Sequence, residues 1–400
     1  MPDVTNFYNL ALQLRRFPLI HRPAKWLRRR AWKKAVDLTL DVARLVVPMN
    51  ARFGPPKGTF SIYELLQRAA PGVSGRVVLT EQREQRMPEN SIQALCGLKQ
   101  HLEQPRPIFW SYHQRARLAS SSLALMNEKK EVAVESVYGR QFVRHDPGYR
   151  YLRLPQAVRL EGNWTSVVSW WAPTTGVAPF SHWMLDVLPR LAVLEEFPPD
   201  TRILVPRALA GYQKESLSLM GLLDRVRCTP ETHLLVENYY FSCPTTMISC
   251  YNPYGVKFLR ETFLPKADKN YSGPKRFIIQ RKGKSRGIKN EEEFNRFFEK
   301  RGWAILDTEK LTFAQEIKLF SEAEAVAGVL GSGFTNAVWC KPGCAILTFM
   351  ADSWLDGWVE WIADVCGLPY YYQIHPSDHA MMAQINLGEV EDLLNRASLR

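Results

Sequence analysis

The chain has little cysteine and uses it without a pattern. Seven cysteines, at 96, 228, 243, 250, 340, 344 and 366, are an odd count with no paired framework. Cys340 and Cys344 lack the second pair and the histidines that a zinc site takes, so all seven are expected to be reduced core thiols. No apolar run reaches the about 18 residues that span a bilayer, and Ala11-Leu12 among polar neighbours is too short for a signal-peptide core. The expectation is a cytoplasmic, non-spanning chain, in which the triplets at Asn163 and Asn270 carry no glycan. No Asp-x-Asp occurs, so the carboxylate pair that would hold a metal-bound nucleotide diphosphate has no candidate. There is no internal repeat and no low-complexity tract. Disorder is excluded as well, since 46% of the residues are hydrophobic and 12% aromatic.

Positive charge, by contrast, is in excess. Lys and Arg number 52 against 40 Asp and Glu, for a net charge of +12, which points to an anionic partner. The excess is concentrated: residues 1–50 carry ten Lys or Arg and three Asp. Over 23–47 the spacing predicts a helix with Leu27, Trp32, Val36, Leu40 and Val47 on one side and Arg28 to Arg30, Lys33 and Lys34 largely on the other. Such a helix can make peripheral contact with an anionic membrane surface, or pack on the body with a solvated basic face.

The organisation changes along the chain. Residues 1–58 read as a basic helical extension. Residues 59–270 read as a first Rossmann-like domain with a β-rich insert, including runs at 131–137 and 167–171. Residues 271–400 read as a second Rossmann-like domain. The periodicity predicts a helix over 181–197, strand 202–205, a helix near 208–221 and a short strand around 226. After a linker at 264–274 it predicts strand 277–280, helix 290–300, strand 303–306, helix 313–322, strand 325–330, a short helix from 335, and strand 345–349. Asn290 with Glu293 and Thr312 with Gln315 have capping-box spacing. Strands alternating with helices imply an α/β fold with parallel sheets and two facing Rossmann-like domains.

Three constellations carry chemistry. In Phe180-Ser-His-Trp-Met-Leu-Asp-Val-Leu-Pro-Arg, the residues His182, Asp186 and Arg190 recur at i, i+4 and i+8. On a helix they drift by only about 40° per step, forming one polar stripe on an apolar surface. His182 in the first turn, with Asp186 holding its tautomer, has the makings of a general base; the bland reading is an Asp186–Arg190 ion pair beside a structural histidine. Pro189 is expected to kink or restart the helix. The second constellation, Gly328-Val-Leu-Gly-Ser-Gly-Phe-Thr-Asn336, joins a strand to a helix. Gly331, Ser332, Gly333, Thr335 and Asn336 suit a phosphate group or a simple tight turn. It has neither the Walker spacing nor the third glycine of the dinucleotide fingerprint. The third is basic: residues 271–290 hold seven Lys or Arg and no acid. Arg281, Lys284 and Arg286 follow a strand's carboxyl end, where they can clamp a diphosphate as it leaves. The absence of interleaved aromatics argues against single-stranded nucleic acid there.

Together these residues resemble glycosyltransferase family 61. The resemblance rests on Phe180-Ser-His-Trp-x-x-Asp-x-Leu-Pro-Arg-Leu191, on Phe277 to Glu293 with its basic turn, on Glu309-x-Leu-Thr with Phe320-x-x-Ala323, and on Gly331-x-Gly-x-Thr-Asn336, in that order. It implies a GT-B-like architecture and a metal-independent inverting glycosyltransferase, hexosyl or pentosyl, with no cofactor. The donor is a nucleotide-diphosphate sugar, typically a UDP-sugar. The acceptor is a glycan or lipid-linked hydroxyl, in surface polysaccharide (capsule) biosynthesis at the inner membrane face. His182 or Asp186 is expected to be catalytic. Arg281, Lys284, Arg286, Gly331, Ser332, Gly333, Thr335 and Asn336 are expected at the donor diphosphate, with Arg190 and Glu309 supporting. The sequence departs from the family at Leu330 and Ser332, where many members have the His and Ala of a His-Gly-Ala-Gly run. Two other readings are a non-catalytic polyanion or nucleic-acid binder and a member of the fold that has lost turnover.

Overall fold

Strands form where β-branched and aromatic residues cluster, and they sort into two large sheets and one two-stranded pair. In the computed structural model the described residues are 58–79, 108–119, 122–137, 156–168, 178–206, 208–244, 246–247, 250–281 and 286–399, all in one compact unit spanning 53–400. The basic extension with its 23–47 helix, Cys96 and residues 282–285, which include Lys284, lie outside them.

The first sheet contains β1 (Gly58–Phe60), β2 (Ser74–Leu79), β3 (Ile108–Ala119), β4 (Ala124–Met126), β5 (Glu131–Ala133), β6 (Val158–Ser166), β7 (Arg202–Pro206), β8 (Val226–Thr229) and β9 (His233–Ser242). Their order is β1-β5-β4-β3-β9-β6-β7-β8, with β2 also paired to β3. Only the end built from β9, β6, β7 and β8 is continuously parallel; β2, β3, β4 and β9 pair antiparallel. The parallel sheet expected for 59–270 is therefore corrected to a mixed one. The cause is connection length: the few residues between β3 and β4 cannot make the crossover that parallel neighbours need. A small antiparallel pair follows, β10 (Thr246–Met247) with β11 (Cys250–Tyr251).

The second sheet is wholly parallel. It comprises β12 (Arg276–Ile279), β13 (Ala304–Leu306), β14 (Ala325–Val329), β15 (Ala345–Ala351) and β16 (Tyr370–His375), ordered β13-β12-β14-β15-β16. Counted within the sheet this is 2-1-3-4-5, a doubly wound order whose switch point lies between β12 and β14. Both faces are covered, as a parallel sheet requires. Phe277, Ile279, Val326, Ile346 and Met350 point into one core, while Ile278, Ala325, Ala327, Leu347 and Phe349 point into another.

The first of these cores also takes Val167, Ile203 and Val205 from the mixed sheet. The segments Phe180–Glu196, Gly211–Leu219, Pro253–Phe263, Phe313–Ser321, Ser332–Trp339 and Trp358–Cys366 supply most of its other apolar side chains. The two sheets are thus tied by one shared layer, and that layer carries the site. Of the cysteines described, Cys243, Cys340, Cys344 and Cys366 are buried thiols as expected, whereas Cys228 on strand β8 is exposed and corrects the expectation for that residue.

Candidate active site

The carboxyl ends of β12 and β14 come together at the switch point, and glycine is what lets them. β14 is built of small residues, and Gly328 holds φ +155 with its Cα against β12: a β-carbon there would lie 2.9 Å from the Ile279 carbonyl oxygen. Past β14 the backbone at Gly331 is extended, φ −172 and ψ 170, so any residue could adopt it. Space is what forbids a side chain: a β-carbon on Gly331 would collide with Nη1 of Arg281. That guanidinium, placed two residues beyond β12, donates from Nη1 to the carbonyl of Leu330 at 3.1 Å. Burial and the neighbouring Arg286 draw the Arg281 pKa down while Glu309 draws it up; an arginine stays a cation throughout.

From Ser332 to Trp339 the chain winds as a 3-10 helix. Its first internal bond runs from the Phe334 amide to the Gly331 carbonyl at 3.0 Å, so the amides of Ser332 and Gly333 precede the intrahelical ladder, at the positive end of the helix. Ser332 is exposed, whereas Thr335 and Asn336 are wholly buried. Expected at the diphosphate, these two side chains face the interior instead. Asn336 accepts from Trp339 Nε1 at 2.9 Å, and Thr335 Oγ1 and Asn336 Nδ2 find no partner in hydrogen-bonding geometry among the described residues.

Beneath them lies a residue that sequence reading passed over. Glu316, on the helix Phe313–Ser321, is buried. Burial pushes its carboxyl up to about 8; the Asn336 amide opposes this, and Glu215 and Glu309 add to it. The signal was present in the sequence, since Glu316 sits between Phe313, Ile317 and Phe320 on the apolar side of that helix. The capping box on this helix forms as expected: Gln315 N donates to Thr312 Oγ1 at 3.3 Å and Thr312 N to Gln315 Oε1 at 3.1 Å. The box expected at Asn290 does not form. Its side-chain amide exchanges hydrogen bonds with the Ile385 backbone instead, donating to O at 2.9 Å and accepting from N at 3.0 Å.

The segment expected as one helix over 181–197 is three pieces: a single α-turn Phe180–His182, a π-turn Trp183–Val187 and a 3-10 stretch Leu188–Glu196. Pro189, lacking an amide proton, starts the 3-10 stretch. The wide π-turn also rotates everything after it, so the three-residue polar stripe ends at Asp186. Arg190 points into the core, donating from Nε to Ser242 O at 2.9 Å and from Nη1 to Val168 O at 3.1 Å. It clamps the segment to the ends of β9 and β6. Asp186 holds the imidazole from the next turn: its Oδ2 lies 2.7 Å from His182 Nδ1. A carboxylate only accepts, so Nδ1 carries the proton and Nε2 is the basic nitrogen. The Asp186 side chain is 4% exposed and that of His182 29%, so the carboxylate is sealed while the imidazole reaches solvent.

These two constellations are neighbours. The Phe180–His182 turn packs directly against the Ser332–Trp339 helix. An aromatic set fixes the contact: Phe180 lies 6.5 Å from Phe313, and Phe313 and Phe263 lie 6.2 and 5.9 Å from Trp339. Glu309, in the exposed turn after β13, is electrostatically linked to both Arg281 and Glu316. Arg286 sits next to Arg281, its guanidinium over the ring of Trp354. Of the expected site residues, then, Arg281, Arg286, Glu309, Gly331, Ser332 and Gly333 lie about the switch point, and the turn carrying His182, with Asp186 bonded to it, packs on the helix that begins at Ser332. Arg190 supports from the core, and Thr335 and Asn336 from below.

Residues 180–347 match the family model described as Glycosyltransferase 61. The match covers less than half of the chain, and it spans every site residue just described, from the His182 turn to β15. It supports membership of that family. No curated protein matches the chain.

Proposed function

We propose, with that family match as premise, that the chain is an inverting glycosyltransferase that moves a sugar from a nucleotide-diphosphate sugar to an acceptor hydroxyl. The observation that carries the reading is the packing of the Phe180–His182 turn against the Ser332–Trp339 helix, whose leading glycine turn Arg281 covers. A base and an anion pocket are what such a transfer needs side by side. His182 Nε2 takes the proton of the acceptor hydroxyl as its oxygen attacks the anomeric carbon. The bond from that carbon to the diphosphate oxygen breaks on the opposite face, and the electron pair leaves with the diphosphate. Arg281 and the Ser332 and Gly333 amides stabilise the charge that develops there.

The finer points belong to the same reading. The donor is a UDP-sugar by resemblance, and transfer is metal-independent because fixed cations take the place of a metal. The architecture is a GT-B variant with the donor on the parallel sheet. The basic 23–47 segment brings the enzyme to the inner face of an anionic membrane, where lipid-linked acceptors for surface polysaccharide reside. Among the described residues no helix is long and apolar enough to cross a membrane.

Leu330 favours a second reading, binding without turnover: its side chain is wholly buried and brings no polar atom to the pocket. Calorimetry with UDP-, GDP- and CMP-sugars, followed by single-turnover assay with the sugar that binds, separates the readings. The transferase predicts micromolar binding, transfer, persistence of both in EDTA, and loss of both in Arg281→Ala with an unchanged circular dichroism spectrum. Binding without transfer establishes the second reading, and absence of binding removes both.

A further inference from the structure

The diphosphate pocket uses Arg281 and the 331–333 turn but leaves the adjoining stretch of the same sheet edge without a role. Three segments meet there: 286–289 after β12, 351–354 after β15 and 376–385 after β16. Residues 286–289 run alongside 380–383, joined by a single parallel β-bridge between Ile288 and Ala383. Arg286 N donates to Ala380 O at 3.1 Å, Lys289 N to Ala383 O at 2.9 Å, and Ala383 N to Gly287 O at 2.9 Å. The turn they lean on is built by Asp378, whose Oδ1 accepts the amides of Ala380 at 2.8 Å and Met382 at 3.0 Å. Lys289 Nζ lies 3.4 Å from the other carboxylate oxygen.

All of this converges on one side chain. Arg286 is held at φ +57, a conformation arginine rarely takes, and its guanidinium carbon lies 4.6 Å from the centre of the Trp354 ring. Trp354 is fixed in turn by a bond from its amide to Ala351 O at 3.0 Å. Beside it stands Asp352, exposed, with Ser377 Oγ donating to its Oδ1 at 2.6 Å and Ser353 Oγ 2.6 Å from Ser377 Oγ. A guanidinium over an aromatic ring and a carboxylate flanked by hydroxyls therefore stand beside Arg281, at the carboxyl edge where doubly wound sheets bind ligands.

The geometry points to a nucleoside subsite, in which the base stacks on the Arg286–Trp354 pair, the ribose diol donates to Asp352, and Arg281 with Gly331 to Gly333 keeps the diphosphate. This rests on the transferase reading and divides the labour within it: Arg286 serves the nucleoside, not the phosphates. Every nucleobase has a π face that stacks on an aromatic or guanidinium plane. An ionised carboxylate is acceptor-only, and a vicinal diol is the neutral group that offers it two donors together.

The test is calorimetry on the full chain with UDP, GDP, CDP, their 2′-deoxy forms and inorganic pyrophosphate. The wild type is compared with Trp354→Ala, Trp354→Phe, Asp352→Asn and Arg281→Ala. The nucleotide that binds the wild type best is expected to lose about tenfold or more in Trp354→Ala and to be retained in Trp354→Phe. Asp352→Asn is expected to erase the preference for the ribo over the deoxy form. Pyrophosphate affinity stays unchanged in all three and falls only in Arg281→Ala. Nucleotide affinity unmoved in Trp354→Ala and Asp352→Asn overturns the subsite alone. So does a parallel loss of pyrophosphate, which assigns Trp354 to the phosphates. If neither nucleotides nor pyrophosphate bind the wild type, the transferase reading falls, and the subsite with it.

Discussion

Arg281 and Gly331 are matched to each other. The guanidinium reaches over the turn to bond the Leu330 carbonyl at 3.1 Å, and the place it occupies is where a side chain on Gly331 would start. The backbone of Gly331 is extended, so Gly331→Ala introduces no backbone strain and leaves the melting temperature nearly unchanged. It moves Arg281 instead. The expected result is a nucleotide-sugar Kd raised about tenfold or more, the scale of one displaced charge-assisted contact. Because both changes act through one guanidinium, Gly331→Ala added to Arg281→Ala costs almost nothing further. Calorimetry on the two singles and the double measures this directly, and additive losses would sink the coupling.

Glu316 predicts a pH dependence of stability. Its carboxyl titrates in the folded chain at about 8, well above the ordinary carboxylate range it has when unfolded. The folded state therefore holds a proton that the unfolded state gives up earlier. Below the unfolded pKa both are protonated and the residue is neutral to stability. Between there and about 8 the folded state loses ground by about 1.4 kcal/mol per pH unit for this one group, and above 8 the loss is constant. Glu316→Gln keeps the shape and removes the ionisation. Urea melts at pH 5 and pH 8 should show the variant gaining on the wild type as pH rises; a gap independent of pH would refute the assignment.

Much of the parallel half was legible because each element there obeys one period. Phe277 to Ile279, Ala325 to Val329 and Ala345 to Ala351 are unbroken apolar runs between helical segments, one of which starts at the Thr312 capping box. The first sheet was not legible because its long strands break period. In β3, Arg115 at φ +54 drops out of the pairing with β9, which passes from Gln114 to Ala116 in unchanged register. In β6, Gly162 at φ +84 sits where the register slips between Leu160 and Asn163. That bulge shifts the alternation of β6 by one and erases its strand signal. The site was legible as residue types and order, not as orientation: spacing put Arg190 beside Asp186, and only the π-turn, which no composition announces, turns it inward. Glu316 was passed over for the opposite reason, since a lone charged residue draws no notice on a helix, although this one occupies the apolar side.

Arg190 consequently belongs to stability. Its side chain is the donor for two carbonyls at the ends of β6 and β9, and Ser242 Oγ donates back to the Arg190 carbonyl at 2.7 Å. Arg190→Met fills the volume but leaves both acceptors buried and unpaired, which costs about 2–4 kcal/mol. Thermal melts should show the loss, and hydrogen exchange should report faster opening at the amides of 180–197; an unchanged melting curve would return Arg190 to the site.

The last prediction separates base from orienter. His182→Ala removes the nitrogen that receives the acceptor proton, and kcat should fall by about 10²–10⁴. Asp186→Asn tests the subtler half. Its amide can donate to Nδ1 where the carboxylate only accepted, so the imidazole proton is driven to Nε2 and the ring presents a donor where a base is needed. The packing is preserved, since the side chain is sealed at 4% exposure and changes by one heavy atom. The expected signature is a kcat loss as large as that of His182→Ala, with KM for the donor and pyrophosphate affinity unchanged. A double variant should be no worse than either single, because the two residues act as one unit. Single-turnover rates with saturating donor measure all three, and an Asp186→Asn enzyme that keeps wild-type kcat would show that the carboxylate merely braces the turn.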